Sequence, residues 1–144
     1  MNPWPAILAR FVLGGVFVAA GALKVVNPMA FARAIMDYDL APEILVPAIA
    51  VVLPWWEIVA GALAIIGWRR LGALGALTLM SAGFFGMGVI TLWRGLSPEC
   101  ACFGFLSERV GLASVALETL LLFVSALLLW IEFRAAQRPA RVSH

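Results

Sequence analysis

Long apolar runs alternate with short polar turns along this chain. Four of the runs are long enough to cross a lipid bilayer, for which about 20 residues suffice. They cover, to within a few residues, positions 5–26, 44–68, 71–93 and 110–131. The pattern predicts an all-α membrane protein in which four transmembrane helices form a single integral membrane domain over residues 1–144.

The composition indicates that lipid, rather than water, surrounds most of this chain. Hydrophobic residues make up 64% of the 144 residues and charged residues only 12%, whereas a soluble domain carries roughly a quarter charged residues. A chain of this length cannot bury so much apolar side-chain area in its own core. The formal net charge of +2 is small and the basic residues are scattered, so we expect no nucleic-acid partner.

A short amphipathic helix is predicted between the first two spans. Asn27 is a typical helix N-cap, and Pro28 fits the first helical position after it. Phe31, Ile35 and Tyr38 then share one face at helical spacing. We expect this helix to lie at the outer membrane surface. It is either a lid or docking platform, or a plain connector with an apolar underside, and the periodicity does not distinguish the two.

Basic residues near the span ends predict the orientation of the chain. With four spans, both termini and the turn between spans two and three lie on one side of the membrane. That side carries the larger group of arginines, namely Arg69, Arg70, Arg134, Arg138 and Arg141. The opposite side carries Arg33, Arg94 and Arg109. The positive-inside rule therefore predicts cytoplasmic termini, with the turns after spans one and three outside.

Each span also carries a row of small or polar residues at helical spacing. Small residues let helices approach closely in lipid, where packing drives association. We therefore expect four inward-facing seams, which are Arg10, Gly14, Gly21 and Lys24; Pro54, Glu57, Gly61 and Ala64; Gly75, Thr78, Ala82 and Gly86; and Gly111, Ser114, Glu118 and Ser125. Together the seams predict a four-helix bundle whose Leu, Val and Ile faces meet lipid.

Glu57 and Glu118 are the most informative members of these seams. A charged group near the middle of the bilayer costs on the order of 3 kcal/mol or more, so an ionisable residue there is a functional candidate. Counted at about 1.5 Å per residue, the two carboxyl groups lie at similar depth and are expected to meet, with Arg10 reaching toward Glu57. One interpretation is a structural polar cluster. The other is proton handling or ligand anchoring by Glu57, Glu118, Arg10 and Lys24.

Pro54, Trp55 and Trp56 immediately precede Glu57. Two tryptophans at this depth are not interfacial anchors. One interpretation is that they stack on a flat ring beside the carboxyl group, as small-molecule pockets often do. The other is ordinary aromatic packing in the helical core. Trp55 and Trp56 are therefore candidate cofactor-binding residues, and a quinone is the candidate ring.

The two cysteines, Cys100 and Cys102, lie one residue apart in the polar break before the fourth span. Pro98 and Gly104 flank them, so this stretch is predicted to be a turn or loop. A disulfide between such close neighbours is strained and closes almost no loop, which favours exchange over stabilisation. The alternatives are inert buried thiols or soft-metal ligands, but the chain supplies too few partners and no metal site is expected. On the predicted orientation both thiols face the outside, where disulfides persist.

Several short motifs give the chain a resemblance to a known family. They are AGALK at residues 20–24, NP at 27–28, LPWWE at 53–57 with Gly61, and CACFG at 100–104. With them the chain resembles the MauE branch of the DoxX-like four-helix membrane proteins over about residues 8–131. CACFG is the most specific of these motifs. The resemblance implies a bacterial inner-membrane protein that forms or corrects periplasmic disulfides, often alongside a thioredoxin-like partner.

The resemblance also implies a reaction. Disulfide-forming membrane enzymes of similar plan that pass electrons to quinone use two cysteine pairs, whereas this chain has one. The resemblance thus implies a thiol–disulfide oxidoreductase in which Cys100 and Cys102 exchange directly with a disulfide-containing periplasmic client, and electrons leave to a quinone or a second partner. Two other classes stay open. One is a non-catalytic assembly subunit that docks a thioredoxin-like partner, and the other is a small transporter with the buried carboxylates as its ion site.

Overall fold

The computed structural model describes residues 4–95 and 112–137. Within these residues the chain forms four long apolar helices, each a candidate transmembrane span, and one short helix between the first two. In chain order the helices are α1 Trp4–Val26, α2 Pro28–Asp37, α3 Val46–Ile66, α4 Arg70–Trp93 and α5 Leu112–Gln137. The predicted four-helix fold is confirmed. Cys100 and Cys102, with the loop predicted around them, lie outside the described residues.

The helix ends agree with the predicted spans except at the C-terminal side. A 3₁₀ turn, Glu43–Leu45, leads into α3. Helix α5 continues to Gln137 rather than ending near Ile131. The guanidinium group of Arg134 lies 4.7 Å from the centre of the Trp130 ring, so the last turns still make side-chain contacts that favour helix.

Helices α1 and α3 form one closely packed pair, because glycines remove side chains where the two backbones cross. A Cβ atom on Gly14 would lie 2.6 Å from the carbonyl oxygen of Gly61, and one on Gly61 would lie 2.7 Å from that of Gly14. Further along, a Cβ on Gly21 would lie 2.6 Å from the carbonyl oxygen of Pro54. Backbones this close gain dispersion energy that lipid-facing leucines do not supply. We call α1 and α3 the first pair.

Helices α4 and α5 pack mainly against each other and form the second pair. A tight turn joins the two pairs between α3 and α4. There Gly67 adopts the left-handed conformation (φ 79°) and donates its N–H to the Leu63 carbonyl at 3.0 Å, which ends α3. Arg69 is also left-handed, with φ 48°, and α4 begins directly after it.

Helix α2 begins as predicted. The Asn27 side-chain oxygen accepts a hydrogen bond from the Ala30 N–H at 3.2 Å, and Pro28 occupies the first turn. The apolar face of α2, formed by Phe31, Ile35 and the following Tyr38, is buried and packs with residues of α3. The predicted amphipathic helix is therefore confirmed, and α2 is anchored on the bundle through α3.

The inward seams are confirmed for the first pair and only in part for the second. Every predicted seam residue of α1 and α3 is buried. On α5, Glu118 and Ser125 are buried, while Gly111 lies outside the described residues. The seam predicted for α4 is wrong, since α4 instead buries Ala73, Leu74, Leu77, Met80, Ser81, Gly88 and Thr91. The Thr78 hydroxyl donates to the Leu74 carbonyl of its own helix at 2.7 Å, so it needs no partner on another helix.

Candidate functional site

A buried ion pair joins α1 to α3 in the first pair. The Lys24 ammonium nitrogen lies 2.8 Å from each carboxylate oxygen of Glu57, and the two side chains are 3% and 0% exposed. Side chains of a helix lean toward its N-terminus. Because α1 and α3 run in opposite directions, Lys24 and Glu57 lean toward each other. Gly21, one turn before Lys24, brings the two backbones close enough for this contact.

Two aromatic rings cover the ammonium group of this pair. The Lys24 nitrogen lies 5.3 Å from the ring centre of Phe31, on α2, and 5.2 Å from that of Phe84, on α4. The faces of such rings carry negative charge that attracts a cation, the more so where water is excluded. The ion pair is therefore held by four helices at once.

The second pair supplies two further polar groups at the same place, Ser81 from α4 and Glu118 from α5. Both side chains are buried. Gly88 of α4 leaves room for the carboxyl group of Glu118, since a Cβ atom on Gly88 would lie 2.7 Å from Glu118 Oε2. We call Lys24, Glu57, Ser81 and Glu118 the polar cluster. Glu57 and Glu118, which were expected to lie at similar depth, border the same cavity.

The polar cluster lines a small cavity between the two helix pairs, here called the inner cavity. Its volume is about 20 Å³, measured as the space open to the centre of a water molecule. Its remaining walls are apolar and come from Val16, Phe17, Ala20, Phe84 and Leu121. Polar groups gathered around so small a space can hold a proton or a water-sized ligand, but they leave no room for a ring.

Arg10 lies elsewhere, and the expectation that it reaches toward Glu57 is wrong. Its guanidinium Nη1 donates to Glu132 Oε1 of α5 at 3.0 Å, and Arg70 lies 3.8 Å from the same oxygen. Arg10 leans toward the start of α1, which is away from Glu57. Within residues 4–95 and 112–137, α1 therefore carries two separate ion pairs, and the Lys24 pair is the one that borders the inner cavity.

Ser81 is a member of the polar cluster that the pattern of polar positions did not predict. The available signal was its spacing, since Ser81 lies seven residues after Leu74 and seven before Gly88, on the face that α4 buries. A seven-residue spacing keeps residues on one side of a packed helix. The Gly75 and Gly86 positions favoured from sequence have open space where a Cβ would sit.

A known family model matches nearly all of the bundle. Residues 2–131 match the family model described as methylamine utilisation protein MauE. The chain belongs to the MauE family. No curated protein and no solved structure matches it. Family membership confirms the resemblance seen in the motifs, and with the four apolar helices it identifies a multi-pass membrane protein.

The two adjacent tryptophans of this MauE-family chain lie on the outside of α3. Trp55 and Trp56 are 55% and 58% exposed, and the inner cavity is lined by other residues. Trp56 borders two shallow grooves beside α3, with volumes of about 220 and 510 Å³ on the same measure. Any ring that meets these side chains would approach from the lipid rather than from the side of Glu57.

The two cysteines lie in the part of the chain that connects α4 to α5. Arg94, directly after α4, donates from Nη1 to the carbonyl oxygen of Asp39 at 3.2 Å. Residues 96–111, which include Cys100 and Cys102, connect this point to Leu112 at the start of α5. Both described ends of the segment therefore belong to the same end of the bundle as Lys24 and α2.

Proposed function

We propose that this protein is a thiol–disulfide oxidoreductase of the bacterial inner membrane that acts on protein thiols outside the cytoplasm. The observation that carries the proposal is the CACFG motif, at residues 100–104, within the segment that joins α4 to α5. Membership of the MauE family supports it. The client would be a periplasmic disulfide-containing protein that serves methylamine utilisation, the process for which the family is named.

The proposed orientation places that segment in the periplasm and both termini in the cytoplasm. It is supported by the arginines of the turn between α3 and α4, Arg69 and Arg70, which are both exposed. Arg10 and Arg70 lie at the same end of the bundle, where both approach Glu132. Basic residues gather on the cytoplasmic side of membrane proteins, so the opposite end, with α2, would face outward.

The reaction is an exchange of one disulfide for another. A client thiolate attacks one sulfur of the Cys100–Cys102 disulfide, so that bond breaks as a mixed disulfide forms. A second client thiolate then attacks the client sulfur of the mixed disulfide. The client leaves with a new disulfide, and Cys100 and Cys102 keep the two electrons as thiols. A disulfide of a thioredoxin-like partner would accept those electrons by the same exchange in reverse order.

A quinone is the other candidate acceptor, and the inner cavity does not fit one. A space of about 20 Å³ holds about one water molecule, which is far smaller than a six-membered ring. Trp56 offers stacking surface only on the lipid side of α3. We therefore assign no step of the exchange to a quinone. Glu57, Glu118 and Lys24 would instead manage protons inside the bundle or hold its helices together.

One observation favours a second candidate function, the docking of a partner without catalysis. The outer face of α2 exposes Met29 and Met36, which are 66% and 48% exposed, around Arg33. Flexible methionine side chains suit adaptable protein contacts. On this alternative α2 would bind a thioredoxin-like partner during assembly, and the two cysteines would only shape their segment.

Covalent trapping distinguishes exchange from docking. Exchange predicts that Cys100→Ser and Cys102→Ser variants, expressed in cells, capture a client or partner in a complex that reductant releases, whereas the double Cys→Ser variant captures none. A third variant, with Ile44→Cys in the double-Ser background, controls for adventitious disulfides because it puts a lone thiol on an 85% exposed position of the turn before α3, at the end of the bundle that also carries α2. A double-Ser protein that still supports client oxidation in cells would overturn the proposal. Capture by neither single variant would favour docking alone.

A further inference from the structure

The hydroxyl of Ser81 differs from four other hydroxyls of the described helices. Those of Thr78, Thr91 and Thr119 donate to a carbonyl one turn earlier at 2.7 Å, and that of Ser125 donates to Leu122 at 3.0 Å. This bond within the helix is the usual way to satisfy a hydroxyl in lipid. Ser81 is 2% exposed, and within the described part of the chain its oxygen has no hydrogen-bond partner.

Ser81 belongs to the wall of the inner cavity, where the other three members of the polar cluster also lie. An ammonium group has three N–H donors. Within residues 4–95 and 112–137, Lys24 uses two of them, both on Glu57. One donor of Lys24 and the hydroxyl of Ser81 thus remain beside a cavity that two carboxyl groups also border.

The size of the inner cavity decides which ligand can satisfy these groups. A cavity needs roughly 10–15 Å³ on this measure to hold one water molecule, and the inner cavity has about 20 Å³. A buried water usually makes about three hydrogen bonds, whereas cavities that stay empty are lined by apolar groups only. The polar cluster offers one hydroxyl, one spare ammonium donor and two carboxyl groups, which is enough for such a water.

We propose that the inner cavity binds one ordered water molecule, which bonds to Ser81 and links the Lys24–Glu57 ion pair to Glu118. The water accepts from the ammonium group of Lys24, shares a hydrogen bond with the Ser81 hydroxyl and donates to the carboxyl groups. This site does not depend on the cysteine exchange.

The bound water would connect the two helix pairs of the bundle. Lys24 and Glu57 belong to the first pair, and Ser81 and Glu118 to the second. A water between them completes a hydrogen-bonded path along which a proton can pass from one buried carboxyl group to the other. The water would also add a hydrogen-bonded contact between the two helix pairs, which otherwise meet largely through apolar side chains.

Replacing Ser81 by alanine tests the proposal by the sign of its effect on stability. With a bound water, Ser81→Ala removes one of its hydrogen bonds and should lower the melting temperature of the purified protein in detergent. Ser125→Ala is the matched control, because Ser125 is equally buried but bonds to its own helix. The proposal requires a larger loss for Ser81→Ala than for Ser125→Ala. A gain in melting temperature would mean that the hydroxyl has no partner, and an equal loss would mean that it bonds to its own helix. Either result overturns the proposal.

X-ray radiolytic labelling in ¹⁸O water tests for the water itself. Hydroxyl radicals made from a bound water oxidise the side chains around it, even where bulk solvent cannot reach. Phe17 lines the inner cavity and Leu13 lies one turn away in the dry core, both at most 4% exposed. Relative to the unfolded chain, labelling of Phe17 should exceed that of Leu13 several-fold. Equal labelling of Phe17 and Leu13 in the unaltered protein would overturn the proposal, whether or not the variants fold.

Discussion

Removing the positive charge of Lys24 should destabilise the bundle more than removing any comparable charge on α1. In Lys24→Met the apolar methionine has a similar length and can fill the space of the lysine stem. Glu57, with a side chain that is 0% exposed, then loses the ammonium group at 2.8 Å from both of its oxygens. Bulk water and lipid headgroups do not reach a side chain that is 0% exposed, so no second cation takes the place of the lysine.

The expected loss follows from the burial of the pair. Breaking a buried ion pair by removing one partner typically costs about 3–5 kcal/mol. Replacing both partners by apolar residues leaves no uncompensated charge, so Lys24→Met with Glu57→Leu should recover most of that loss. Arg10→Met is the matched control on the same helix. Its partner Glu132 is 21% exposed and keeps Arg70 nearby, so the loss there should be about 1 kcal/mol, as for partly exposed pairs.

Reversible unfolding by SDS in mixed micelles, followed by far-UV circular dichroism, measures these free energies. The free energy of unfolding is compared among the unaltered protein and four variants. These are Lys24→Met, Glu57→Leu, the double variant that combines both substitutions, and Arg10→Met. The two single losses should greatly exceed the loss in the double variant, which is the signature of a coupled pair. Two results together would refute the reasoning. They are a Lys24→Met loss no larger than that of Arg10→Met, and single losses that simply add in the double variant.

The same unfolding assay checks two contacts of the helix backbones. Gly61→Ala should cost about 1–3 kcal/mol, because the added Cβ would lie 2.7 Å from the Gly14 carbonyl oxygen and would push α1 away from α3. Gly15→Ala, with no atom within 4 Å of its Cβ, is the control and should cost nothing. Asn27→Ala should cost about 1 kcal/mol through loss of the cap on the Ala30 N–H, whereas Asn27→Asp should keep the cap. A neutral Gly61→Ala or Asn27→Ala would contradict the corresponding contact.

The fold could be predicted because its main determinants are local. The length of each apolar run sets a span, and the Asn27–Pro28 dipeptide sets the start of α2. The inward faces of α1 and α3 were also readable, since their glycines and charged residues repeat on one side of each helix. In lipid these residue types have few other stable positions, so the pattern and the packing agree.

The partners within the site could not be predicted from the same pattern. Depth alone made Arg10 a candidate partner for Glu57. The actual choice depends on the direction in which side chains lean along two antiparallel helices, which selects Lys24. On α4 the small residues were a poor guide, because the glycines at positions 75 and 86 face open space. Ser81 carries no signal by itself, and its importance follows only from the cavity beside it.

The ion pair between Lys24 and Glu57 also constrains how the protein is made. The two residues are 33 positions apart, so the lysine leaves the ribosome before its partner exists. Lys24 lies two residues from the end of α1, where its side chain can extend to the interface until its partner arrives, whereas a lone Glu57 near the middle of α3 would cost about 2.5–3.5 kcal/mol at the centre of a bilayer. We therefore expect α3 to enter the lipid directly against α1, so that Glu57 meets the ammonium group as it leaves the insertion machinery.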